Sequence, residues 1–62
     1  MNNIKKEVTK QTINITSMAN DLQISRRNLH YLMDGKQLPN VNLAYKIAKY
    51  LKVSIIYLFK LD

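Results

Sequence analysis

The chain has no cysteine and no tryptophan, and only one glycine, one proline and one phenylalanine in 62 residues. Without cysteine there can be no disulfide, thiolate metal site or cysteine nucleophile. One glycine and one proline are too few for a loop-rich or low-complexity scaffold, because little interrupts regular structure. Acidic side chains are scarce too: four Asp and Glu stand against ten Lys and Arg. The one histidine, His30, has no second histidine or cysteine at helical spacing, so no metal site is expected, and no cofactor-binding motif is present. No nucleophile and base pairing or phosphate-cradling loop is present either, which argues against an enzyme. Long apolar runs are also missing. The longest, "IIYLF", falls far short of the roughly 20 residues that span a bilayer, and no apolar stretch follows the lysines of "MNNIKKEVTKQT". An intracellular protein that does not enter the membrane is expected.

Hydrophobic residues make up 47% of the chain, too many for a disordered tail. A chain of this length forms one domain, residues 1–62, and folding would bury roughly 60% of the surface the unfolded chain exposes. The formal net charge of +6 produces a field that attracts polyanions, of which nucleic acid is the commonest. Lysines spread over exposed helix faces for solubility alone would produce the same total.

Polar clusters recur at short intervals between apolar patterns of helical period, which predicts several short helices with tight joins. A first helix, from about Asn3 to Thr12, sets Ile4 and Val8 on one face. Asn14 is placed to cap a second, in which Ile15, Met18, Ala19 and Leu22 face inward. After a tight turn Ser25 caps a third, from Arg26 to about Met33, with Leu29, Leu32 and Met33 on its core side. Gly35 suits the left-handed stop of that helix. The loop "DGKQLPN" follows, then a fourth helix from Asn40 or Asn42 to about Leu51 with Ala44, Ile47, Ala48 and Leu51 inward. Ser54 caps a last, short helix of five apolar residues, Ile55 to Phe59, which cannot all be buried within one domain.

In this arrangement "MANDLQISRRNLHYLMDGKQLPN", followed by "IAKYLKVSIIYLF", resembles the Cro and phage-repressor type of helix-turn-helix DNA-binding domain. The resemblance runs from about Ile4 to Phe59 and rests on Ala19, Leu22, Ile24 and Ser25, then Leu29, Gly35 and Pro39, and finally Ile47, Ala48, Leu51, Val53 and Ser54. It implies an all-α, compact bundle of five short helices whose third helix enters the major groove of double-stranded DNA. Carried onto this chain, the base-contacting positions are Arg26, Arg27, His30 and Tyr31. Helical geometry at about 100° per residue independently places Arg27 and Tyr31 opposite the core side, with His30 beside them. Backbone contacts are expected from Thr16, Ser17, Ser25, Asn28, Lys36, Gln37 and Asn40.

The chain departs from this family at Ile15, where a DNA-contacting Gln is usual, and at Gln23 and Lys52, where Gly is common. Ile56 and Tyr57 are apolar where relatives are usually polar, which points to a dimer interface formed by two copies of the same patch. The expected function is therefore a transcriptional regulator acting as a homodimer on a palindromic operator in the cytoplasm or nucleoid. A second reading keeps the fold but makes it a protein-interaction module that binds another regulator through the basic face or the "SIIYLF" patch.

Overall fold

A computed structural model describes residues 2–59 as five α-helices, with no strand among them. They are α1 (Ile4–Lys10), α2 (Ile15–Leu22), α3 (Arg26–Met33), α4 (Val41–Leu51) and α5 (Ile55–Phe59). The all-helical bundle expected from periodicity is the observed fold, although α1 is shorter at both ends than the sequence suggested.

Four of the helices start on a side-chain oxygen. Asn14 Oδ1 accepts from the Ser17 N–H (2.9 Å), Ser25 Oγ from Asn28 (3.0 Å), Asn40 Oδ1 from Leu43 (2.8 Å) and Ser54 Oγ from Tyr57 (3.0 Å). Each such bond satisfies an amide with no intrahelical partner and stabilises its helix by about 1 kcal/mol.

Helix ends are equally uniform. Thr12, Gln23, Gly35 and Lys52 all have positive φ, at 56°, 60°, 74° and 59°. At each, two backbone bonds close the preceding helix: after α2 the Gln23 N–H donates to the Asn20 carbonyl and the Ile24 N–H to Ala19. Thr12 with Ile13, Gly35 with Lys36, and Lys52 with Val53 repeat this pattern, the Schellman motif. Gly35 adopts the geometry without hindrance. The other three hold a side chain where Cβ crowds the backbone, so the missing glycines at positions 23 and 52 leave the joins intact but strained. In three of these turns the next residue, Ile13, Ile24 or Val53, packs against the core and holds the turn in place.

The core contains Ile4, Val8, Met18, Ala19, Leu22, Leu29, Leu32, Ile47, Ala48, Leu51 and Leu58, contributed by all five helices. α2 packs on α3 and α4, α4 on α5, and α1 on α3. The N-terminal segment adds something periodicity did not reveal. Asn2 Nδ2 donates to the Leu32 carbonyl (2.7 Å), Asn3 Nδ2 to Tyr57 (2.7 Å) and Gln11 Nε2 to Leu51 (2.8 Å). Three amide side chains from one segment thus bond to carbonyls at or near the ends of α3, α5 and α4, where no donor four residues on is available within the helix, and at Leu32 the bond adds to the one from the Gly35 N–H.

Candidate nucleic-acid interface

The α2 and α3 helices are separated by residues 23–25, a left-handed Gln23, the inward Ile24 and the capping Ser25. This short join fixes where α3 begins. Leu29 and Leu32 are buried and anchor the helix, which leaves Arg26, Arg27, Asn28 and His30 exposed and Tyr31 half-buried. Arg26 and Arg27 occupy the first turn, where the helix dipole disfavours positive charge and no acidic residue is present.

Three of the expected site residues come together. Arg27 Nε donates to Tyr31 Oη at 3.1 Å, and its Cζ lies 5.5 Å from the Tyr31 ring centroid. Lys36 Nζ lies 5.9 Å from the same centroid. The backbone accounts for the second cation: Gly35 turns left-handed, the Lys36 N–H donates to the Tyr31 carbonyl at 2.9 Å, and the chain folds back over its own helix. Cations close to an aromatic ring are attracted by its quadrupole, by about 0.5–1 kcal/mol at exposed sites.

The remaining expected contacts, Thr16, Ser17, Ser25, Arg26, Asn28, His30, Gln37 and Asn40, are exposed but make no side-chain bond to this cluster among the described residues. Ser25 and Asn40 already use an oxygen in capping, which leaves the Ser25 hydroxyl proton and the Asn40 Nδ2 group as donors. In the first turn of α3 the Arg26 and Arg27 amides have no intrahelical acceptor.

The residues expected at a dimer interface have different surroundings. Ile56 is 56% exposed and Tyr57 38%. Tyr57 is not simply an outward apolar group, because its hydroxyl donates to Glu7 Oε2 at 2.8 Å. Glu7, only 3% exposed, also accepts from Gln11 Nε2 at 3.0 Å. The Tyr57 bond first, and then the Gln11 bond, hold the Glu7 carboxyl below its ordinary value of 4.5, while the carboxylate raises the Tyr57 hydroxyl above 10.0. Sequence reading missed Glu7, because its partner is 50 positions away.

A second apolar surface was also missed. Leu38, Val41 and Tyr45 are 84%, 69% and 59% exposed and, with Pro39, Ala44, Ile55 and Phe59, line a groove of about 420 Å³. The available signal was a surplus: α4 carries Val41, Leu43, Tyr45 and Tyr50 in addition to its inward stripe. No helix among the described residues is long and apolar enough to cross a membrane. No protein-family model matches the chain, and no curated protein is significantly similar to it.

Proposed function

We propose that the protein is a sequence-specific double-stranded DNA-binding regulator that inserts α3 into the major groove, with α2 and the residue 23–25 join forming a helix-turn-helix. The observation that carries this reading is the pair Arg26 and Arg27, exposed in the first turn of a helix whose other side is anchored in the core. Helix stability opposes two cations at that place, whereas a polyanion facing the helix tip would stabilise them. Lys36 extends the positive charge along the same surface, and the net charge of +6 would speed encounter with DNA. Arg26, Arg27, His30 and Tyr31 face base edges, and Thr16, Ser17, Ser25, Asn28, Lys36, Gln37 and Asn40 face the backbone. Two copies joined through Ile56 and Tyr57 would present two such helices to a palindromic operator. The setting implied is the cytoplasm or nucleoid.

Selection of bound duplexes from random DNA at fixed salt tests this reading. A palindromic site carrying two chains by sedimentation is expected, with at least a hundredfold weaker binding by the Arg26→Ala, Arg27→Ala double variant. Unchanged DNA binding by that variant would sink the reading. The exposed Leu38, Val41 and Tyr45 favour one other reading, a protein-interaction module of the same fold. That module would lose its partner on a Tyr45 substitution and be indifferent to the arginines.

A further inference from the structure

Resting on the DNA-binding reading, and replacing the base-edge role given to Arg26 above, we infer that Tyr31 is a positioning residue that divides the work of the two arginines: it presents Arg27 end-on to a guanine, and leaves Arg26 to a phosphate. An arginine can make a paired contact through Nε and one terminal nitrogen, or through both terminal nitrogens. The Arg27 Nε–H is already donated to Tyr31 Oη at 3.1 Å, so the side-on pairing is occupied and the terminal fork is free. That fork matches guanine O6 and N7 in the major groove. A guanidinium held before it binds also loses less conformational freedom on binding. Arg26, its neighbour, makes no side-chain hydrogen bond among the described residues and has no such restriction.

The same ring fixes the second element of the target. Lys36 Nζ and Arg27 Cζ both lie within 6 Å of the Tyr31 centroid, two like charges held near one side chain. Their repulsion is relieved by an anion between or beside them. The Tyr31 hydroxyl, accepting from Arg27, still has its own proton to donate. Arg27, Tyr31 and Lys36 together therefore fit one guanine and its adjoining phosphate. The fit comes from an i, i+4 pair on α3 and the left-handed turn at Gly35 that returns Lys36 to the same ring.

The test is duplex selection at one fixed salt concentration with the unaltered protein, Tyr31→Phe, Arg27→Lys and Arg26→Ala, each first checked for an unchanged melting temperature. The unaltered protein is expected to require one guanine per half-site, by roughly 5- to 100-fold over other bases. Arg27→Lys, which cannot present a planar fork, abolishes that requirement. Tyr31→Phe keeps the ring and both cations and loses only the hydroxyl. Its preference for the guanine falls by roughly 2- to 10-fold while binding to unrelated duplex stays nearly constant. Arg26→Ala weakens binding to every sequence alike and lowers the slope of log K against log salt by about one. A Tyr31→Phe variant with undiminished guanine preference, or one weakened equally on all sequences, overturns the inference and leaves the DNA-binding reading standing. A guanine requirement lost with Arg26 and kept with Arg27→Lys overturns it as well. If the unaltered protein selects no DNA, both fall together.

Discussion

Glu7 and Tyr57 are the residues whose surroundings differ most from what their types suggest. A carboxylate with two hydrogen-bond donors on it, 3% exposed in a chain with few acids, ties the first helix to the last. Its lowered pKa means the stabilisation is present above the ordinary value of 4.5 and lost as pH falls through the lowered one. Tyr57 contributes in the opposite sense: its raised pKa leaves its contribution complete below 10.0 and lost as pH rises through the raised value. Melting curves of the parent and Tyr57→Phe should therefore differ most between those two pH values and converge beyond either. A difference independent of pH would mean that the hydroxyl is not on the carboxylate. No sequence rule reveals this pair, since nothing local marks partners 50 positions apart. Arg27 and Tyr31, four apart on one helix, lie within reach of such a rule, whereas Lys36 needed the backbone turn at Gly35 to be known.

At the scale of the helix, the starts of α2, α3 and α5 and the ends of α3 and α4 were legible, whereas both ends of α1 and the left-handed geometry of most stops were not. Asn14, Ser25, Asn40 and Ser54 announce the starts because a cap acts within three residues. The inward stripes of α2, α3 and α4 were equally readable, because a period of 3.6 leaves few choices of face. The left-handed geometry of the stops was obscured because only Gly35 carries the expected residue, although a polar residue followed by an inward Ile or Val marks each of the others. Thr12 is the most strained of the four, a β-branched side chain at φ 56°. Replacing it with glycine removes a left-handed penalty of about 1–2 kcal/mol and adds about 0.4–1 kcal/mol of unfolded-chain entropy. A net gain of roughly 0.5–1 kcal/mol in urea unfolding is expected for Thr12→Gly. A lowered midpoint would show that the residue tolerates its geometry through contacts glycine cannot supply.

Across the whole molecule, the basic tip of α3 and the apolar groove beside α4 and α5 are built on different elements, so substitution of one can spare the other. Most of the backbone bonds that close the joins span five positions or fewer, whereas the amides of Asn2, Gln11 and Asn3 reach partners 30, 40 and 54 positions away. That contrast sets an order of events in folding. The α2–α4 portion can collapse on local contacts, but the first segment has nothing to grip until the ends of α3, α4 and α5 exist. Docking of α1 is therefore expected after the rate-limiting barrier, so that Gln11→Ala should accelerate unfolding while leaving the refolding limb of the chevron unmoved. A slowed refolding limb would instead place α1 in the nucleus. With α1 closing late, the helix that carries Arg26 and Arg27 is closed first by its own left-handed turn, in which Gly35 already holds the Leu32 carbonyl, and the Asn2 bond to that carbonyl is added last.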